Sequence, residues 1–127
     1  MARTTLDIWT YREGVDVGMS PRDVVGYDVE AKDGSIGKVD DATYDTDSSY
    51  LVVDTGPWIF GKKVMLPAGV IQSVDSDDEK IFVNRTKDEI KNAPEFDDSL
   101  IRDRPYRDRL GSYYGPGGAG FRDWDDR

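Results

Sequence analysis

The densest apolar stretches of this chain are short. Tyr50-Leu51-Val52-Val53 is representative, and such runs are bounded by Gly, Pro, Asp or Ser. A membrane-spanning helix needs about 20 consecutive apolar residues, and none of these runs approaches that length. The opening Met1-Ala2-Arg3-Thr4-Thr5 starts no leader-like apolar core, so a soluble, cytoplasmic chain is expected. Short β-rich runs between turn signals read as strands.

Taken in order, residues 20–26 read as one helical turn: Ser20 caps it, Pro21 suits its first position and Gly26 ends it. Residues 27–30 form a first strand, and Asp33-Gly34 is a tight-turn pair. Residues 36–44 form a second strand. Its alternation breaks at Asp40-Asp41, between Val39 and Ala42, which is what a β-bulge leaves. Residues 45–49 are a polar turn. Strands follow at 50–55 and 62–66, where Pro67 removes a ladder donor. Residues 70–75, an acidic turn at 75–79 and residues 81–83 complete the set. The pattern predicts a mainly β fold: a small, closed or partly open, six-stranded antiparallel barrel. One short C-terminal helix is appended. Thr86 and Glu89 form its capping box, Pro94 stops it, and Ile90 lays it on the barrel as a lid.

Three regions follow from texture and charge. Residues 1–19 are an N-terminal extension, either hairpin or arm. Residues 20–97 are the barrel domain. Residues 98–127, rich in Tyr, Arg and Gly, are expected to be a mobile tail because they offer little aliphatic surface to offset ordering entropy. The chain carries 26 acidic and 17 basic residues, a net charge of −9. Residues 1–100 hold 21 acidic and 11 basic side chains, a net of −10, and the remainder a net of +1. Phosphate binding requires a basic face, so nucleic acid is a disfavoured partner.

The chain has no histidine and no cysteine. Imidazole acid/base chemistry, thiol nucleophiles, Ser-His-Asp triads, disulfides and Cys/His metal sites are therefore excluded. Asp40 and Asp41 are a carboxylate pair, but adjacent strand residues point to opposite faces unless a bulge reorients one. Nothing assembles the roles that a catalytic site requires, so no catalytic residue, cofactor or metal is assigned. Asp45-x-Asp47-x-Ser49 begins like a calcium loop, yet Tyr50 stands where the loop needs glycine. The literal G-x-G-x-x-G at Gly115, Gly117 and Gly120 lacks the strand and following helix of a dinucleotide site. Asn84-Arg85-Thr86 matches a glycosylation pattern that has no meaning without secretion.

Trp58-Ile59-Phe60 is the most unusual local feature. Three large apolar residues stand in a connection, where polar residues are the rule. They are read as a contact surface, with Lys62 and Lys63 as its polar rim. An aromatic connection and spare strand edges also favour a homodimer.

The run from Asp54 to Val70, D-T-G-P-W-I-F-G-K-K-V-M-L-P-A-G-V, resembles a PRC-barrel domain. So does Asp33-Gly34-Ser35-Ile36-Gly37-Lys38-Val39. The family's strand around Val29, its hairpin, its Y-L-V-V-D strand and its G-K-K-x-x-L-P segment occur here in order, over about residues 22–96. The resemblance is strongest to the stand-alone, stress-associated PRC-barrel proteins of actinobacteria, in which the R-L-G-x-Y-Y-G of Arg109 to Gly115 also recurs. It implies a small barrel with an appended helix and a role as a protein-binding adaptor with no shared catalytic residues. A barrel binding a small ligand or a cation is the alternative.

Overall fold

The computed structural model describes residues 8–9, 24–42, 49–56, 63–115, 118 and 120. Six strands form on the β-rich runs: β1 (Asp28–Ala31), β2 (Gly34–Ala42), β3 (Tyr50–Asp54), β4 (Lys63–Pro67), β5 (Ile71–Asp75) and β6 (Lys80–Val83). They make one sheet in the order β4-β3-β2-β1-β6-β5.

The sheet is mixed, which corrects the expectation of a wholly antiparallel barrel. β1 runs parallel to β6, with Val29 opposite Ile81, while the other ladders are antiparallel. The cause lies between β4 and β5. Only a 3-10 turn of three residues, Ala68–Val70, separates them, and the chain keeps its sense as it passes through. With β5 running the same way as β4, β6 must run the same way as β1.

The same turn forces the sheet to curl. β4 and β5 occupy opposite edges, and in a flat sheet five spacings of about 4.8 Å would hold them roughly 24 Å apart. Four Cα–Cα steps from Pro67 to Ile71 span at most about 15 Å. The sheet therefore rolls until its edges approach at Pro67–Ile71. It stays open, since no ladder joins β4 to β5 among the described residues. The partly open form of the expected barrel is the one found.

Local devices follow the sequence closely. Register passes from Val39↔Val53 to Asp41↔Val52, leaving Asp40 as the extra residue of the bulge. Val39 is buried and both acids are exposed, so the bulge keeps the two carboxylates on the solvent side. Gly37 permits β2 to press against the end of β3: a Cβ there would lie 2.1 Å from the Asp54 carbonyl oxygen, and its φ is +151°. α1 (Lys87–Lys91) has the full capping box between Thr86 and Glu89 and buries Ile90. The Asp33 carboxylate accepts from the Lys87 N–H at 2.8 Å, tying the β1–β2 turn to the start of α1.

After residue 97 the chain does not remain irregular, and the expectation of a tail from residue 98 is corrected there. A second helix, α2 (Arg104–Tyr114), forms and buries Tyr106, Leu110 and Tyr114 in the same core as Val29, Leu51, Leu66 and Ile81. The Asp103 carboxylate caps it by accepting from the Tyr106 N–H at 2.9 Å, and Pro105 sits in the first turn. Spacing of four places the three apolar residues on one face.

Leu66 is fully buried, so Leu66→Ala should cost about 2–5 kcal/mol through lost burial and a residual cavity. Gly37→Ala should destabilise by a comparable margin, because backbone stands where the methyl must go. Urea denaturation midpoints at constant slope check both.

Candidate functional site

β3 is buried on both faces: Tyr50, Leu51, Val52 and Val53 are all inside. Residues directly opposite in a ladder share a face. Leu51, Val53 and Leu66 therefore face into the curl, while Tyr50, Val52 and Met65 face outward. The outward face is apolar and is covered by segments that lie beyond the sheet.

Four elements make that cover. The N-terminal pair Ile8-Trp9 crosses it: the Ile8 carbonyl accepts from Gly69 N–H at 2.7 Å and the Trp9 carbonyl from Ser49 N–H at 2.8 Å. The Trp9 ring meets Tyr50 edge-on, with centroids 6.4 Å apart. Phe96 pairs with the free edge of β4 at Lys63, and its ring lies 5.8 Å from that of Tyr106. α1 contributes Ile90, and α2 lies over all of these. The Tyr106 hydroxyl donates to the Pro94 carbonyl at 3.1 Å, and the Tyr113 hydroxyl to the Glu89 carbonyl at 2.6 Å. Gly111 leaves room for Trp9, whose Nε1 would stand 2.8 Å from a Cβ at that position. A cavity of about 140 Å³ remains under α2, bordered by Lys63, Met65, Ile90, Phe96 and Tyr114.

Arg85 anchors the far end of α2. It is 1 % exposed, and its guanidinium donates to the Asn84 carbonyl at 2.7 Å and the Tyr114 carbonyl at 3.0 Å. The last carbonyls of a helix lack intrahelical partners and carry its negative end, so a buried cation satisfies both needs. The guanidinium also lies 5.5 Å from the Tyr114 ring centroid. Gly120 N–H donates to the Tyr113 carbonyl at 2.9 Å. Gly115 and Gly120 thus lie against the helix end, where a Cβ would meet the Gly111 carbonyl oxygen at 2.8 Å and the Tyr113 ring respectively. Burial pushes the phenols of Tyr106 and Tyr114 well above the usual range. Asn84 is itself buried, which closes the glycosylation pattern to modification in the folded chain.

Of the residues assigned from sequence to a contact surface, Trp58, Ile59, Phe60 and Lys62 lie outside the described residues. Lys63 is described. It opens β4, borders the cavity, and its Nζ lies 3.0 Å from Asp40 Oδ2 on the bulge. Asp41 lies beside Asp40 on the outer surface, and neither borders that cavity. In the acidic turn, the Asp75 carboxylate accepts from the N–H groups of Asp77 and Asp78, both at 3.1 Å. Among the described residues no His, Cys, Asp and Glu side chains cluster in a way that could hold a metal ion. No described helix is long and apolar enough to cross a membrane.

Sequence reasoning missed Arg85, Tyr106, Leu110 and Tyr114. A signal for the last three was present: an Asp103 cap, Pro105 and an apolar stripe at intervals of four. The abundant Gly of the adjoining residues obscured it. Arg85 carried no such signal, because an arginine in a turn gives no hint of burial.

Residues 16–90 match the family described as the PRC-barrel domain, more than half of the chain, and the protein belongs to that family. α2 lies beyond the matched residues. A search of curated proteins finds no match. Among solved structures, similarity is found to a Pseudomonas aeruginosa protein described as the 16S ribosomal RNA processing protein RimM, at 17% identity with a TM-score of 0.48, over 57% of this chain. The chain covers 46% of that protein's length.

Arg85→Lys keeps the charge but not the fork that spans two carbonyls, and it should cost about 1–3 kcal/mol in chemical denaturation. Alkaline pH should also loosen α2. The folded state holds the Tyr106 and Tyr114 phenols neutral, whereas the unfolded chain ionises near pH 10. Their contribution is intact below about pH 10 and is lost as pH rises through the raised folded values. The Tyr114 hydroxyl is buried without a hydrogen-bond partner among the described residues. Tyr114→Phe should therefore match or exceed wild-type stability at pH 7 and lose less of it at pH 10.5, as read by paired thermal melts.

Proposed function

We propose that this chain is a non-enzymatic protein-interaction adaptor of the PRC-barrel family, acting in the cytoplasm and able to self-associate. The observation that supports this reading best is the outer face of β3 and β4. It is an apolar face of Tyr50, Val52 and Met65, covered by segments beyond the sheet that include a helix from outside the family-matched region. A barrel built this way carries a docking surface as part of its fold, and the surface involves no chemistry beyond burial, ring contacts and backbone hydrogen bonds. Membership of the stand-alone, stress-associated group is the finer proposal, supported by the R-L-G-x-Y-Y-G segment, whose Leu110 and Tyr114 are the residues that seat α2.

Trp58, Ile59 and Phe60 are proposed as the partner-facing residues, with Lys62 and Lys63 at the rim. Their connection leads into Lys63 at the edge of β4, beside Phe96. Trp is enriched at interface centres, which makes Trp58 the residue to test. Affinity capture from the source cell with wild type and Trp58→Ala should show at least a tenfold loss of the captured partner, with the melting temperature nearly unchanged. If Trp58→Ala unfolds outright with no separable binding defect, Trp58 is a core residue and the surface is wrongly assigned. Wild type should give no turnover on chromogenic glycosides and esters. Turnover abolished by Asp40→Asn would overturn the non-enzyme reading.

A further inference from the structure

We propose that the cavity beneath α2 is a binding site for a neutral, single-ring aromatic molecule carrying one hydrogen-bond acceptor, which the Tyr114 hydroxyl meets. This role is separate from partner capture and stands or falls independently of it.

Two features of the packing point to a ligand. The first is unfilled apolar space. The cavity holds about 140 Å³, although protein interiors are close-packed and leave few voids larger than a water molecule. An apolar cavity of about 150 Å³ accepts benzene, so one six-membered ring fits here and a fused pair of rings does not. The second feature is the Tyr114 hydroxyl. Tyr114 belongs to the cavity wall and is 0 % exposed, yet its hydroxyl has no hydrogen-bond partner among the described residues. Buried hydroxyls are normally paired, and leaving one unmet is costly. The other tyrosines on the packed side of α2 do find carbonyls, Tyr106 at Pro94 and Tyr113 at Glu89. A single ligand would fill the space and supply the missing acceptor.

The wall selects the rest of the chemistry. Met65, Ile90, Ala93 and Phe96 border the cavity with apolar side chains, and a thioether sulfur and a ring both favour an aromatic guest. The charges at the border balance. Lys63 is held by Asp40 at 3.0 Å, and Lys91 and Glu95 are one of each sign. A charged guest would gain no net attraction to offset its desolvation, which selects a neutral one. Lys91 and Glu95 are exposed and mark the side on which the cavity meets solvent, so a guest can enter with α2 in place.

Benzene and pyridine test both parts, because they share one ring size and differ by an acceptor nitrogen. Full-length protein with isotope-labelled methionine methyls is titrated with each in mildly alkaline buffer, where pyridine is neutral. The Met65 methyl resonance, assigned by its loss in Met65→Leu, should shift saturably and show cross-relaxation with the protons of the guest. Neither guest doing so, up to the highest concentration the folded protein tolerates, would overturn the site. Wild type should bind pyridine at least fivefold more tightly than benzene, and equal binding would overturn the acceptor assignment. Tyr114→Phe keeps the ring and loses the hydroxyl, so it should retain benzene binding and abolish the advantage of pyridine. An advantage that survives in Tyr114→Phe would overturn the role of the hydroxyl and with it the ligand class. Ala93→Leu fills the cavity and should weaken both guests at least tenfold. Undiminished binding by a folded Ala93→Leu would place the guests elsewhere and overturn the site; if that variant does not fold, cross-relaxation at Met65 in wild type decides the location.

Discussion

The structure depends on a chain that does not reverse at Ala68–Val70. Two strands that belong at opposite edges of one sheet are held together by a three-residue turn. Everything else about the barrel follows from that short tether. The sheet must roll, β1 and β6 must run parallel, and the side chains enclosed by the roll must be apolar. Pro67 suits the point where β4 ends, because it has no N–H to offer a further ladder. Ala68, Gly69 and Val70 are all buried, and this turn is among the best covered parts of the fold.

A rolled sheet has an outside, and here part of that outside is as apolar as the inside. Val52 and Met65 must be covered because each would otherwise leave a large apolar side chain in water. The cover comes from both ends of the chain, since Ile8-Trp9 and α2 meet at Gly111. Arg85 locks the cover. It is a buried charge whose desolvation is offset by two carbonyls, one of them at the negative end of a helix dipole.

Much of the fold was legible because its causes are local. The capping box at Thr86 and Glu89, the bulge at Asp40-Asp41 and the end of β4 at Pro67 each arise from residues within a few positions of one another. The candidate site was much less legible. Lys63 was assigned as a rim residue from its place beside an aromatic connection. Its neighbours Phe96 and Asp40 come from elsewhere in the chain and meet it only through the ladders. The segment containing α2 looks unpromising by composition, because Gly and Pro dominate the residues that follow it. The stripe of Tyr106, Leu110 and Tyr114 matters only once there is a groove for it to fill.

By itself, then, the sequence determined the strands, their turns, the bulge, the capping box and the absence of thiol and imidazole chemistry. These depend on backbone preference, short-range hydrogen bonding and residue type, which act without knowledge of the fold. The tertiary structure alone decided that β1 and β6 run parallel, that the barrel stays open, that Arg85 is buried and that α2 is part of the core. Each of those depends on which distant surfaces meet, and only the closing of the sheet brings them together.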